Sequence, residues 1–533
     1  MPEARKFPMA EAIREAYTRG EEEEQMEPLV LVNEDDTPLG RINTGDYVIF
    51  YNIRGEREVQ LSESLIDPDF KHFPVEPPPK PKMATMIQYD RHLDKFGVKV
   101  AFPPLEEIKD SLSEVVSKNG LKQVKITESE KEVHISFFFN GKNKEPFPAE
   151  DRITIPSPRV RRVDEKPEMS ISEVTRAIVG KINQGEHSLI VANFPNLDVI
   201  GHTENREAIL KAVEAVDTHT GMVVEAARKA GVITLITSDH GTVESWLYPE
   251  GTIDTGHTKS PVHCLLIDPT LPPSSRVSLR EGGALTDVAP TILALLGTLE
   301  PEAMTGQSLL VSYPKCENRR RRVLLLITDG WGISDDDYGN LIKAADTPVM
   351  DSFYEQYPYT SLKASGEAVG LPEGTVGNSE SGHSHMGCGR VIYADRMRIK
   401  KSIDDGSFFQ NEALLWAMQN AKKEKTPLHL LGIVSFYSSH GSVDYALALL
   451  EMAKREGLSE VYIHSMLGRR GERPETGAVY TEKIERECQR LDLGKLVSVI
   501  GRYYALDREE NWDRVEKAYR LYVHGEGRKV KEM

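Results

Sequence analysis

"SLIVANFPNLDVIGHTENREAILKAVEAVDTHTGMVVEAARKAGVITLITSDH", Ser188 to His240, decides the fold class. It opens on an apolar run, passes through a long amphipathic stretch and closes on a second apolar run. Strand, helix, strand in that order is the unit from which parallel sheets with crossover helices are built. Each apolar run is followed by acids and imidazoles, Asp198 and His202 after the first, Asp239 and His240 after the second. In open α/β sheets ligands gather beyond the carboxyl ends of the strands, so these positions are candidate ligands. If the segment after the first strand is helical, Asp198 and His202 share a face.

The pattern recurs outward from this unit. "YVIFYN", "MATMIQ", "VHISFFF", "VHCLLID", "VLLLITDG", "LHLLGIVS", "EVYIHSML" and "LVSVIGRYY" read as further strands, with helical patterns between many of them. The expectation is an α/β chain with mostly parallel sheets. "SISE" (Ser170–Glu173) reads as a capping box opening a helix. "FPVEPPPKPK" (Phe73–Lys82) reads as a loop, "EEEE" (Glu21–Glu24) as a solvated helix end, and "RRRR" (Arg319–Arg322) as a linker entering a strand.

The 533 residues are 39% hydrophobic and 28% charged, as in ordinary water-soluble proteins. A net charge of −17 argues against nucleic-acid partners. The four cysteines form no C-x-x-C pair, which suits a reducing cytoplasm. "MPEARKFPMAEAIREAY" lacks the apolar centre of a secretory signal, and no apolar run approaches a membrane span.

The chemistry collects at strand ends. "VLLLITDG" ends in Asp329, and "DTGHTKSP" places His257 in a loop before a strand. "TVGNSESGHSHMGCG" (Thr375–Gly389) reads as a small-residue loop carrying Ser379, with His383 and His385 beyond it. Asp198, His202, His257, Asp239, His240, Asp329 and Ser379 are too many ligands for one ion and about right for two. Mixed Asp and His donors suit Mn2+ or Zn2+. Two such ions can clamp both oxygens of a phosphoryl transfer, and they ease the deprotonation of a serine that is otherwise a poor nucleophile. A second, cationic set is Arg54, Arg57, Lys131, Arg469, Arg470, Arg473, Arg502, Arg508 and Arg514. Arginines just past strands suit bidentate capture of phosphate and carboxylate.

"TDGWG", "GEAVGLPEGTVGNSESGH", "FYNIRGER", "KPEMS", "NLDVIGH", "SDHGT", "GHTKSPV" and "IGRYYALDR" together resemble cofactor-independent phosphoglycerate mutase, of the alkaline phosphatase superfamily. The resemblance covers nearly the whole chain. It implies two α/β domains, an alkaline-phosphatase-like parallel-sheet domain and a smaller transferase-like domain. The order differs from the family's, whose "DGWG"-type strand lies near the N-terminus, so the chain resembles a circular permutant. The implied domains are 105–394, continuous, and 1–104 plus 395–533, built from both chain ends. One metal set would be Asp198, His202 and His257; the other Asp239, His240, Asp329 and Ser379. Ser379 matches the family's phosphorylated serine, and Arg54, Arg57, Arg470, Arg502, Arg508 and Lys131 match its substrate-binding cations. The implied cofactors are two divalent ions, Mn2+ first, with Zn2+ or Co2+ as alternatives, and no 2,3-bisphosphoglycerate. The implied protein is a cytoplasmic monomer acting on a small phosphorylated anion, with no nucleic-acid or membrane partner.

The chain departs from the family in one region. Where the family has S-D-G-G-V-H-S-H, this chain has "SFYSSHGS" (Ser435–Ser442), which keeps His440 but puts Phe436 at an aspartate position. Where the family has D-G-R-D, this chain has "GRRG", Gly468 to Gly471, with both aspartates lost. The second of those aspartates helps move the hydroxyl protons of the sugar acid in the family, so either His440 handles them alone or the substrate has changed. Interconversion of 3- and 2-phosphoglycerate through phosphoserine is the leading expectation. The alternative is a related phosphoryl or phosphonyl transferase, or a phosphatase, with a different phosphoglycerate-like or phosphonate substrate.

Overall fold

The stretch from Ser188 folds as strand Leu189–Phe194, short helix Asn196–Gly201, helix Arg206–Lys229 and strand Ile233–Thr237 in this computed structural model. Residues 7–75, 79–105, 108–271, 277–314, 321–435, 440–468 and 476–531 are described. The long helix starts where the Asn205 side chain accepts from Ala208 N–H, a standard N-cap. Its buried residues Ile209, Ala212, Val213, Val216, Thr220, Val223 and Ala227 recur every three or four positions and make one apolar face. The two strands are not neighbours. Val323–Thr328 lies between them and pairs in parallel with both.

The chain divides into two units, Met1–Pro104 with Arg398–Met533, and Leu105–Met397. In the second unit, eight strands form a sheet in the order Gly283–Ala284, Tyr359–Lys363, Val262–Ile267, Ile233–Thr237, Val323–Thr328, Leu189–Phe194, Gln123–Glu128, Glu150–Ile155. The last five pair in parallel, and Val262–Ile267 is antiparallel to both neighbours. Every residue of Val323–Thr328 is buried, because separate apolar clusters cover the two faces, one including Leu324 and Leu326, the other Leu325 and Ile327. Burying each such aliphatic side chain is worth about 1.5–3 kcal/mol. That is why a continuous apolar run, rather than an alternating one, marks this strand.

The first unit has its own eight-stranded sheet, in the order Arg528–Lys531, Leu29–Val32, Lys495–Gly501, Val461–Leu467, Leu428–Ile433, Tyr47–Phe50, Lys82–Ile87, Lys99–Phe102. Its pairings are parallel except that between Leu29–Val32 and Lys495–Gly501.

Four expectations need correction. "VHISFFF" is not a strand: His134–Phe138 is a π-helix, since the fully buried Ile135 and Phe139 lie four apart, a helical spacing. "SISE" forms no capping box. The Ser170 hydroxyl donates to the Pro156 carbonyl instead, and Glu128 takes the Ser170 N–H. "EEEE" does not end a helix; helix Pro8–Thr18 stops earlier, and Glu23 accepts from Tyr17 Oη and Gly477 N. The stretch after Asn378 is a helix, Ser379–Cys388, rather than a loop. Among the described residues no helix is long and apolar enough to cross a membrane.

Candidate metal centre and anion cluster

In the second unit the ends of four parallel strands converge on one polar site. Asp329 follows Val323–Thr328 directly, and Asp239 and His240 lie two and three residues past Ile233–Thr237. Leu189–Phe194 leads into helix Asn196–Gly201, which carries Asp198 and ends at His202. Gln123–Glu128 leads to Lys131. Gly330, at φ +87°, lets the chain turn away after Asp329; a Cβ there would lie 2.7 Å from the Asp198 amide nitrogen.

Ser379 is the first residue of helix Ser379–Cys388, capped by Asn378, whose side chain accepts from Ser381 N–H at 2.8 Å. Its hydroxyl therefore stands at a helix N-terminus, where backbone N–H groups favour negative charge. Ser379 Oγ lies 2.9 Å from His240 Nε2 and within hydrogen-bond reach of Lys131 Nζ. Lys131 Nζ also meets Asp198 Oδ2 at 2.7 Å and Asp329 Oδ1 at 2.9 Å. Burial works against the Lys131 charge, but Asp329, Asp198 and Asp239 raise its pKa above the ordinary lysine range.

Two overlapping groups of donors can each hold a cation: Asp198, His240 and His257, and Asp239, His240 and Asp329. Within each, one atom per residue lies within 4.8 Å of the others. His202 joins the first, with Nε2 3.2 Å from Asp198 Oδ1. The hydrogen bonds of the imidazoles test whether a metal fits. His202 Nδ1 faces the Thr255 carbonyl at 2.7 Å, and His257 Nδ1 the Gly377 carbonyl at 2.9 Å. A carbonyl only accepts, so both Nδ1 atoms carry protons. In the neutral rings both Nε2 lone pairs then point inward, 3.2 Å apart and toward Asp198. Converging lone pairs and carboxylates repel one another unless a cation stands among them, and carbonyl-anchored imidazoles are the usual metal-ligand arrangement.

The carboxylates are not equivalent. Burial opposes charge on Asp239, yet His240, His383 and Lys131 hold it far below the usual range. Burial and the neighbouring Asp239 raise Asp329. Asp198 is held well below its usual range against burial, by Lys131 and by its bonds to His202 and His257.

Two further residues sit against this cluster. Asn193 Nδ2 donates to Asp329 Oδ2 at 2.8 Å and lies 3.0 Å from His383 Nε2. His383 Nδ1 faces the Ser379 carbonyl at 2.9 Å and lies 3.2 Å from Asp239 Oδ2. The available sequence signal is Asn193, a polar residue inside the apolar run "LIVANF". His385 is buried in the helix and spans Ser381 O and Ile392 N, which ties it to local structure.

The first unit holds the arginines. Arg54 precedes helix Gly55–Ile66 and pairs with Glu56 at 2.8 Å, which also pairs with Arg508 at 2.8 Å. Arg57 Nη1 donates to the Leu506 carbonyl at 3.2 Å, and Arg502 approaches Glu24 at 4.0 Å. His440 is buried, with Nδ1 2.9 Å from Glu58 Oε1. Lys131 belongs to the second unit, where it pairs with Asp198 and Asp329. Arg469, Arg470, Gly471, Arg473 and Phe436 fall outside the described residues.

A family model described as the Metalloenzyme superfamily matches residues 25–300, just over half of the 533-residue chain. A second, described as the BPG-independent PGAM N-terminus, matches residues 399–533. The 2,3-bisphosphoglycerate-independent phosphoglycerate mutase 2 of Methanosarcina acetivorans is 43% identical over 302 residues, 56% of each chain. The 2,3-bisphosphoglycerate-independent phosphoglycerate mutase of Thiobacillus denitrificans is 44% identical over 296 residues, 55% of this chain and 56% of its own. A crystal structure of Leishmania mexicana phosphoglycerate mutase at low cobalt concentration matches 53% of each chain, at 30% identity and a TM-score of 0.38. The matched region is thus a little over half the length of these curated relatives.

Proposed function

The chain belongs to the metalloenzyme superfamily, and from that premise we propose that it interconverts 3-phosphoglycerate and 2-phosphoglycerate through phosphorylated Ser379. The observation that carries this reading is the setting of Ser379 Oγ, at a helix N-terminus, against His240 and Lys131 and beside two overlapping cation-binding groups. The mutase names of the relatives support the substrate class. Asp198, His202 and His257 would hold one divalent ion, and Asp239, His240, Asp329 and Ser379 the other, with Mn2+ the expected metal. Bound ions supply charge neutralisation for the phosphoryl oxygens and ease loss of the serine proton.

The rest falls to the protein's own groups. Lys131, clamped by Asp198 and Asp329, keeps its ammonium on Ser379 Oγ and favours the alkoxide. The helix terminus adds to that preference. Ser379 takes the phosphoryl group and returns it to the other hydroxyl of the same glycerate. Arg54, Arg57, Arg502 and Arg508, with Arg470 from outside the described residues, offer guanidinium forks that suit phosphate and carboxylate. In this reading residues 105–394 carry the metal chemistry, and 1–104 plus 395–533 carry substrate recognition, in a cytoplasmic monomer. Circular permutation belongs to the same proposal: the model described as an N-terminus matches 399–533, after the metalloenzyme match at 25–300.

The test is an enolase-coupled assay with 3-phosphoglycerate and Mn2+. Formation of 2-phosphoglycerate is expected. Free phosphate in excess of 2-phosphoglycerate would make the protein a phosphatase, and no product from metal-loaded protein would contradict the substrate.

A further inference from the structure

The first unit buries an acid that the motifs do not mark. Glu58 lies on helix Gly55–Ile66 and has no exposed surface. Its Oε1 accepts from Asn52 Nδ2 at 3.0 Å and lies 2.9 Å from His440 Nδ1. Asn52 is itself fixed: its Oδ1 accepts from the Ile433 N–H at 2.8 Å, so its amide nitrogen must face Glu58. The His440 backbone is held as well, by the Ile53 N–H donating to its carbonyl at 2.6 Å. A carboxyl oxygen facing Nδ1 selects the tautomer with the proton on Nδ1 and the lone pair on Nε2. This is how an acid orients a working imidazole in hydrolytic triads.

The sequence poses the problem that this pair answers. "GRRG" has lost the aspartate that the family resemblance assigns to proton handling, while His440 remains. We propose that Glu58 stands in for that missing carboxylate, as a positioning residue acting through His440 on the hydroxyls of the substrate. The proposal rests on the mutase reading above.

The protons balance without a co-reactant. In the first half, the bond between phosphorus and the glycerate oxygen breaks, the phosphoryl group joins Ser379 Oγ, and the His440 Nε2 lone pair takes the proton of the free neighbouring hydroxyl and gives it to the released oxygen. In the second half, the neighbouring oxygen, left without its proton, takes the phosphoryl group from Ser379, whose Oγ returns to the alkoxide. The Glu58–His440 pair starts and ends with the same proton.

The surroundings suit a pair that holds one proton. Burial raises Glu58 to about 8. Burial, with Arg502, Arg54 and Arg57, lowers His440 to about 3. Among the described residues, the groups facing the pair are Arg54 and Arg57 at the start of its helix, Arg502 from helix Arg502–Ala505, and Tyr89, whose hydroxyl donates to the Phe50 and Asn52 carbonyls. Between those limits the pair carries a single titrating proton, on Glu58, beside the Nδ1–H of the neutral imidazole.

The test compares Glu58→Gln, Glu58→Asp and wild type, as full-length Mn2+-loaded protein with 3-phosphoglycerate, alongside nitrogen-15 NMR of the histidine rings. Glu58→Gln should lower kcat about a hundredfold with KM changed less than about threefold, and Glu58→Asp should recover most of that loss. In wild type the His440 ring nitrogens should report a protonated Nδ1 and a step near pH 8, set by Glu58. In Glu58→Gln the step should vanish. Wild-type kcat in Glu58→Gln, or an unchanged step, overturns the proposal. If wild type forms no 2-phosphoglycerate, the mutase reading falls and the catalytic role with it, whereas the titration still decides whether Glu58 holds the His440 ring.

Discussion

Ser379 owes its proposed reactivity to its neighbours, and each can be removed singly. Ser379→Ala should lower mutase turnover at least about a thousandfold while the protein still binds divalent ions; steady-state kinetics and a metal titration check both. The Glu58–His440 pair makes a second residue-level prediction. Relative to their ordinary values of 4.5 and 6.5, Glu58 is raised to about 8 and His440 lowered to about 3. Between pH 4.5 and 6.5 the folded pair holds one proton, on the acid, and the unfolded pair one, on the imidazole, so stability does not change. Between pH 6.5 and 8 only the folded pair still holds a proton, and stability falls as pH rises. Glu58→Gln removes that proton. Its stability relative to wild type should therefore grow from pH 4.5 to 8, by at most about 1.4 kcal/mol per pH unit. Urea unfolding at several pH values measures it, and parallel curves would contradict the pairing. The acids and histidines at strand ends were legible because polar groups closing apolar runs stand out. Glu58 was not, since an acid within "NIRGEREVQ" reads as solvent-facing until the fold buries it.

At the scale of elements, the helix Ser379–Cys388 shows why composition misleads. Its glycines read as a loop, yet they are there for close approach. A Cβ on Gly382 would lie 2.5 Å from the Asp239 carbonyl oxygen, and one on Gly387 2.0 Å from that of Phe139. Tertiary contact overrides propensity here. Gly382→Ala should force the helix off Asp239, costing about 1–3 kcal/mol in stability and lowering kcat by displacing Ser379. Denaturant unfolding with kinetics on the same samples tests it, and an unperturbed variant would contradict the packing. The strand "VLLLITDG" was legible for the opposite reason: burial on both faces writes a continuous apolar run.

At the scale of the whole molecule, local patterns give strands but not their partners. Tyr47–Phe50 pairs in parallel with Leu428–Ile433, far along the chain, and no local signal specifies that register. The α/β class was therefore legible, while the strand order within each sheet was not. Each unit has its own apolar clusters, so metal removal should act unevenly. Mn2+ at a hundred times its Kd should stabilise the unit Leu105–Met397 by about 2.7 kcal/mol. Hydrogen exchange with and without chelator should show that gain around Val323–Thr328 and Ile233–Thr237 and none around Leu428–Ile433. Equal effects in both units would contradict the assignment of the ions. The most direct measurement is peptide mass spectrometry of protein quenched during turnover of 3-phosphoglycerate with Mn2+. The expected result is a phosphate on Ser379 that disappears on chelation. Turnover with Ser379 unmodified, or a phosphate on any other residue, would contradict the central claim.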